Sequence, residues 1–370
     1  MTELASRAAF QRLIDTLQDA ADGWVVPGPG MSDDDVAEGF RNLSHILQSG
    51  LYSHQEFDPD RPVFHRIVSP TRSFTGDNSD AVYFEAPVAA GREYIVRGNF
   101  AGAVYTSFTL EAGAADGNYA SATAGVLRDD DIDLDAEGNY AIRLGGTAAS
   151  RNWLGIPGDG RITTRHYFEW PHSAAASQTL HIPISIEVVD RSPAPPRWND
   201  ERVAAALQRV VNHVRTKTVD QPPRPAGPPA PFVSITPNEF PKPIVPGNMA
   251  FAAFDAAYSM APYLIGPDEA LVIRGRWPTC RFGSVCLWNR WSQMYDYVNR
   301  QVSRNRANTA LEPDGSFVMV LAHQDPGHPN WIDTEGRTIG SVFWRFFLPE
   351  GDIETPRAEV VKFAELASLR

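Results

Sequence analysis

The chain has 370 residues, 43% hydrophobic and 21% charged, with a net charge of −12. These values fit a soluble globular protein. They exclude a nucleic-acid binder, because phosphate recognition needs a basic face, and they argue against an anionic membrane surface. Thirty prolines and 28 glycines indicate many turns, as in a β-rich chain, and the length calls for two domains or a pair of packed sandwiches.

The first element is helical. Phe10, Leu13, Ile14, Leu17 and Ala21 recur at helical spacing, and Gly23 ends the run. No basic region followed by an apolar run opens the chain, so no signal peptide is expected. A second helix opens at Ser32, with Asp35 at capping-box spacing. Val36, Phe40, Leu43 and Leu47 would be its buried stripe and Gly50 its stop.

From Pro62 the pattern changes to short β-type segments separated by turn residues. "AVYFEAPV", "EYIVRGNF", "AVYTSFTLEA", "NYAIRLGG", "RITTRHYFEW" and "LHIPISIEVV" all read as strands. A helix follows from about Asp200, with Val203, Leu207, Val210, Val211 and Val214 on one face. Residues 220–248 hold ten prolines and read as an extended surface connector. Strands then resume to about Pro349, with a short helix after Pro356. Cys280 and Cys286 are too far apart along a strand to bridge, which suits a reducing compartment. No apolar stretch approaches a membrane span. The expected location is cytoplasmic.

The two halves repeat each other. Asp80 and Tyr83 in "DAVY" match Asp255 and Tyr258 in "DAAY". "GREYIVRGNF" matches "DEALVIRGRW", and Ser107 and Ser284 each lie nine residues beyond the shared glycine. "EGNYAIRLGG" answers "DGSFVMVLAH", Asn152 and Trp153 answer Asn330 and Trp331, and Arg165 answers Arg345. The expected fold is mainly β: two related antiparallel, jelly-roll-like β-sandwich domains with N-terminal helices and a Pro-rich connector. The expected boundaries are 1–58 for the helical segment and 59–198 for the first β-domain. The helix and connector take 199–247, and the second β-domain with its tail takes 248–370.

"GDNSDAVYFEAP", "NWLGIPGDGRITTRHYF", the segment 268–305 and "AHQDPGHPNWIDTEGRTIG" together resemble the bacterial DUF1214 family. The resemblance covers roughly residues 62–180 and 235–349 and is strongest over 268–340. It implies jelly-roll-like β-domains and brings no established activity. Members that resemble this chain often belong to lipid, terpenoid or xenobiotic catabolism contexts.

A residue shared by both halves is read as part of the fold, and one present in a single half as a candidate for chemistry. His323, Asp325 and His328 have no echo in the first half. They could meet as acid/base groups, or form a strand end and an Asp-Pro-Gly turn. A metal site would need further ligands that the sequence does not signal. Asp333 replaces a first-half glycine and is either a turn residue or a pocket carboxylate. Asp77 and Asn78 in "GDNSD" are also unechoed, whereas Asp80 reads as a strand-start residue. "RDDDIDLDAEGN" fails the EF-hand pattern at its sixth position and reads as a solvated loop. The stretch 287–305 gathers Trp288, Trp291, Tyr295, Tyr297 and Arg300, with 288, 291 and 295 at helical spacing. As a short helix or an irregular insertion, it would suit an amphipathic ligand, or would seal an interface.

The expected function is a cofactor-independent acid/base enzyme of lyase, isomerase or hydrolase type. Its substrate would be a small, largely hydrophobic terpenoid, steroid or aromatic compound. His323, Asp325, His328 and Asp333 are its candidate catalytic residues. Trp288, Trp291, Tyr295, Tyr297, Arg300, Asp77 and Asn78 are its candidate binding residues. No metal or cofactor is expected, and homo-oligomerisation is left open. The alternative is a non-catalytic binder of a hydrophobic or carbohydrate ligand, and a third reading is a structural assembly protein.

Overall fold

The structure, a computed structural model, describes residues 4–28, 30–73, 75–113, 115–148, 150–190, 194–221, 228–246 and 255–369. Among these residues, three α-helices and four sheets make a mainly β chain. The chain divides into two compact units. The first comprises Met1–Arg72, Val82–His166 and Thr179–Arg224; the second comprises Ser73–Ala81, Tyr167–Gln178 and Pro225–Arg370. The stretch expected to form one contiguous first β-domain thus contributes two segments to the second unit.

Helix α1 (Ala5–Gly23) packs chiefly on α3 (Asp200–Lys217). Its buried face is Ala9, Leu13, Thr16 and Ala20. The expected stripe is corrected here, because Phe10 and Ile14 are 54% and 47% exposed. Ala9 and Leu13 instead cluster with Leu207, Val210 and Val211. Helix α2 (Asp33–His54) opens with the expected capping box. The Asp35 N–H donates to the Ser32 hydroxyl at 3.1 Å, and the Ser32 N–H donates to the Asp35 carboxylate at 2.8 Å. Gly50 does not end this helix. A Cβ there would lie 3.1 Å from His213 Cδ2, so the glycine makes room for α3. Phe40, expected inside, is exposed.

The first unit carries β1 (His65–Arg66), β2 (Ala81–Val88), β3 (Tyr94–Asn99), β4 (Tyr105–Ala112), β5 (Ala122–Arg128), β6 (Asn139–Leu144), β7 (Trp153–Leu154), β8 (Gly160–Tyr167) and β9 (Ile184–Val188). The sheet orders are β1-β2-β8-β4-β5 and β7-β6-β3-β9. Alternation along each strand sends one set of side chains inward. Ala86, Phe108, Leu110 and Ile162 of one sheet share a core with Tyr94, Val96, Tyr140 and Ile142 of the other. The six strand segments read from the sequence all fall on strands. The reading missed β1, β5 and β7. Strand β5 pairs with β4 across a bulge at Leu110 and Glu111.

The second unit carries β10 (Ala256–Leu264), β11 (Glu269–Gly275), β12 (Phe282–Trp288), β13 (Ser303–Asn305), β14 (Phe317–Ala322), β15 (Trp331–Asp333), β16 (Ile339–Phe347) and β17 (Arg357–Lys362). Its orders, β10-β16-β12-β13 and β15-β14-β11-β17, follow those of the first unit strand for strand, β1 aside. Both units carry a parallel pair, β6 with β7 and β14 with β15. One expectation is corrected here: the chain after Pro356 begins as strand β17, paired to β11, before a 3₁₀ helix at Phe363–Leu369. Of the two forms open to 289–302, the structure shows the irregular one: β12 runs on to Trp288, which bridges to Met294.

Phe317 of β14 stacks on Trp344 of β16 at 5.7 Å, with Trp277 5.7 Å from Trp344. That places Trp344 between the two sheets and turns its neighbour Arg345 to the other face of β16. The described part of the Pro-rich segment, 228–246, runs beside β10. Met260 N–H donates to Phe232 O and Ser234 N–H to Met260 O, both at 2.8 Å, while Ile244 and Tyr258 exchange both bonds.

Candidate functional site

The segment from His323 to His328 is the crossover that joins the parallel strands β14 and β15. His323 Nε2 lies 3.1 Å from the Gly266 carbonyl, which can only accept, so Nε2 bears the hydrogen. Nδ1 lies 2.7 Å from the Thr334 hydroxyl. Asp325 is exposed, and its Oδ1 accepts the Gly327 N–H at 2.7 Å, as in an Asx turn. His328 Nδ1 accepts the Asn330 N–H at 3.1 Å. Asp333 is buried, accepts the Glu335 N–H at 2.7 Å and pairs with Arg300 at 2.8 Å. Asp325 and His328 hold the turn of the crossover, and His323 lines a cleft of about 540 Å³ with Glu269 and Lys362. Among the described residues no group of three or more His, Cys, Asp or Glu gathers to hold a metal.

The two Asn–Trp pairs make matching contacts, one in each unit. Asn330 accepts the Ala310 N–H at 2.7 Å and donates to Ala310 O and Val318 O, both at 2.8 Å. Asn152 accepts the Asp133 N–H at 2.7 Å and donates to Asp133 O and Ala141 O. Trp331 donates to Ala322 O and Trp153 to Gly145 O. Asn330 is buried and Asn152 is not. Asn330→Ala should therefore lower stability by about 2–3 kcal/mol and Asn152→Ala by about 1 kcal/mol or less, read from urea unfolding. Equal losses would show that burial does not set the cost.

The aromatic residues of 288–297 are mostly structural. Trp288 stacks on Phe343 at 4.4 Å and donates Nε1–H to Asp77 O at 3.0 Å. The Tyr295 hydroxyl lies 2.7 Å from that of Tyr263, and burial pushes the Tyr295 phenol well above its usual range. The Trp291 N–H donates to Asn289 Oδ1 at 2.9 Å, holding the turn after β12. Tyr297, together with Arg300, lines an open cleft of about 530 Å³ with His172, Ser173, Asn299 and Ser303.

Beneath that cleft lies the "GDNSD" segment, which the second unit buries against one face of its β10-β16-β12-β13 sheet. Strand register builds that face. Tyr258, Arg345, Ser284 and Asn305 stand directly opposite one another across four strands, and Met260, Phe343, Cys286 and Ser303 form the next row. Asn78 Nδ2 donates to Ser284 Oγ at 3.1 Å, and Ser79 Oγ donates to Ser303 Oγ at 2.8 Å. Ser173 Oγ donates to Ser79 O at 2.6 Å, so two serines of the cleft wall hold this segment directly.

Two carboxyls are buried there. Asp77 Oδ1 accepts the Met294 N–H at 2.8 Å, and Oδ2 accepts from the Ser73 hydroxyl. Burial pushes Asp77 up to about 6, against those two hydrogen bonds and the Arg345 charge. Burial pushes Asp80 further, to about 7, opposed by a hydrogen bond from Asn305 and aided by the Glu169 carboxylate. Asp80 is 2% exposed, and its Oδ2 has no hydrogen-bond partner among the described residues. Glu169 is itself gripped by Arg306 at 2.7 and 2.9 Å. The Arg345 guanidinium stands 5.0 Å from the Phe343 ring centre and 5.8 Å from those of Tyr167 and Tyr258.

Sequence reasoning placed Asp77 and Asn78 here but passed over Asp80 and Arg345, because both are echoed in the first half. Their surroundings differ all the same. Arg165, the echo of Arg345, donates to Thr109 at 2.7 Å and pairs with Glu111. With Ser107 aligned on Ser284, those two positions become Cys286 and Trp288. That change in neighbours was the signal available in the sequence.

No family model matches the chain, and no curated protein does. Among solved structures, an uncharacterized protein from Burkholderia cenocepacia is 26% identical, covering 97% of this chain and 98% of its own, with a TM-score of 0.82. The VPA0106 protein from Vibrio parahaemolyticus is 12% identical, covering 95% of this chain and 100% of its own, with a TM-score of 0.50. Both likenesses are of fold. No helix among the described residues is long and apolar enough to cross a membrane.

Proposed function

We propose that the chain is a cofactor-independent acid/base enzyme, of lyase, isomerase or hydrolase type, acting on a small metabolite with an apolar body and a polar end. The observation that carries this reading is the buried Asp80 carboxyl with one unpartnered oxygen, close to the Arg345 charge on an aromatic face. A carboxyl held near neutrality can take a proton from carbon and return it. A guanidinium beside it can steady the oxyanion that forms. The Arg345 guanidinium stands over the aromatic rings of Phe343, Tyr167 and Tyr258. In this reading the substrate enters by the cleft beside Tyr297 and Arg300. The chain would work in the cytoplasm as a DUF1214 protein, built of two jelly-roll-like sandwiches that arose by duplication.

The test is solvent exchange. The protein is incubated in D₂O with a panel of terpenoid and steroid ketones and aromatic acids, and the panel is read by mass spectrometry. Deuterium gain in one compound with wild type, lost in Asp80→Asn, is the expected result. Gain that survives Asp80→Asn would remove the residue from the chemistry. The amide and hydroxyl walls of the cleft, Ser173, Asn299, Gln301 and Asn308, favour a second reading, a carbohydrate binder. Saturable sugar binding with no exchange in any compound would select it.

A further inference from the structure

Helix α1 carries two apolar faces, and its own unit uses one. Ala9, Leu13, Thr16 and Ala20 are buried, chiefly against α3. Phe10, Ile14, Leu17 and Ala21 make the other, at the alternating four- and three-residue spacing of a coiled-coil seam. Phe10 and Ile14 are 54% and 47% exposed, and Leu17 and Ala21 are half-buried. Leu17 borders the cluster that holds Leu207 and Val210 of α3, and so does Leu47 of α2. Phe40 and Leu51 fall on the Leu47 side of α2 by helical spacing and are 47% and 38% exposed. Lone exposed apolar side chains are ordinary, but a run of them on two helices that share one cluster marks a surface for a partner.

The charges of α1 run against its own dipole. No acidic residue occupies its first turn and no basic one its last. Arg7 stands in the first turn instead, and Asp15, Asp19 and Asp22 follow toward the C-terminus. Asp200 of α3 accepts the Ala5 and Ser6 N–H groups at 2.8 and 2.9 Å, but Arg7 forms no ion pair among the described residues. Asp22 accepts from Gln18 at 2.8 Å and meets no cation among them. Each placement is unfavourable in a lone helix, and an antiparallel neighbour reverses both. We propose that this face of α1 is a two-fold interface on which a second copy of the chain docks, helix to helix and antiparallel. With the two Ile14 side chains near the axis, Phe10 of one copy meets Leu17 of the other, and Arg7 meets Asp22. The pairing covers the seam and sets each misplaced charge beside its opposite. One helix carries both halves of the match, which singles out a copy of itself as the occupant. A parallel pairing would set Arg7 against Arg7 and Asp22 against Asp22. Helix α1 lies in the first unit, so the dimer stands apart from the Asp80 reading.

One helix pair is a small interface, so the dimer should form in the micromolar range. Sedimentation velocity on the full chain, from about 1 to 100 μM, should show a species of twice the chain mass. Ile14→Glu should raise the dissociation constant roughly a hundredfold, since two carboxylates then face each other at the axis. Arg7→Asp and Asp22→Arg should each raise it about three- to thirtyfold, and the double change should return it to the wild-type value. All four variants should keep the wild-type helix signal in circular dichroism, because every changed position is exposed. The charge variants carry the test should Ile14→Glu fail to fold. A chain that stays monomeric across the range would overturn the proposal. So would a dimer that a folded Ile14→Glu leaves intact, or a double change no tighter than either single one.

Discussion

Replacing Glu85 by alanine should lower the stability of the first unit by about 3–5 kcal/mol, because it removes one partner of a buried ion pair. Glu85 and Arg161 are 9% and 14% exposed in their side chains. Burial opposes the Glu85 charge, but Arg161, His54 and the Ser53 hydroxyl outweigh it and hold the carboxyl down at about 2. The folded value is depressed, so the stabilisation is present above the usual range near 4.5 and is lost as pH falls toward 2. Guanidinium unfolding at neutral pH measures the loss. A change under about 1 kcal/mol would mean that solvent reaches the pair and screens it. The double change Glu85→Leu with Arg161→Met should recover most of the stability, since neither charge then remains buried.

Asp80→Asn should act in the opposite sense. The folded value of Asp80 is raised from 3.8 to about 7. The folded chain therefore holds that proton more tightly than the unfolded chain does. The stabilisation is full below about pH 4 and drains away as pH climbs through about 7. An asparagine cannot ionise, but its amide N–H groups meet no partner at that buried position, which costs about 1–3 kcal/mol. Above pH 7 the variant should still exceed wild type by roughly 1–3 kcal/mol, with a flat profile where wild type slopes. Asp77→Asn should not share this gain, because both Asp77 oxygens accept hydrogen bonds. Denaturation curves between about pH 4 and pH 8 decide the matter, and a variant as sloped as wild type would place the titration elsewhere. A gain in stability joined to a loss of deuterium exchange would be the trade expected of a catalytic group.

The fold was legible where a local rule had no competitor. Ser32 and Asp35 cap α2 as their spacing requires, and the strand segments lie where alternation and turn residues put them. Helix faces were less legible. Phe10 and Ile14 fit the apolar period of α1, but Ala9 lets α3 approach more closely, and contact with a partner decides the buried face. The spacing of Trp288, Trp291 and Tyr295 was ambiguous, because the end of β12 and the turn after it carry the same residues. The candidate site was half legible. Asp77 and Asn78 stood out as unechoed, while His323 and Asp325 stood out equally and proved to be crossover residues. Uniqueness within a repeat marks any local departure, whether it is a turn or a site. Asp80 and Arg345 were hidden because their identities recur in the first half while their neighbours change, Thr109 and Glu111 giving way to Cys286 and Trp288.

The Pro-rich segment beside β10 bears on how the chain avoids its own kind. β10 is nine residues long and forms one end of its sheet. Bare, it would offer another chain a row of unsatisfied amides and carbonyls next to Tyr258, Met260 and Tyr263, which is how fibrils begin to grow. Residues 228–246 occupy that row at Phe232, Ser234, Asn238 and Ile244. Proline has no N–H to give, so the outward side of the covering segment has few donors with which to recruit a further strand. The same chemistry that keeps this segment from being a strand lets it end the sheet.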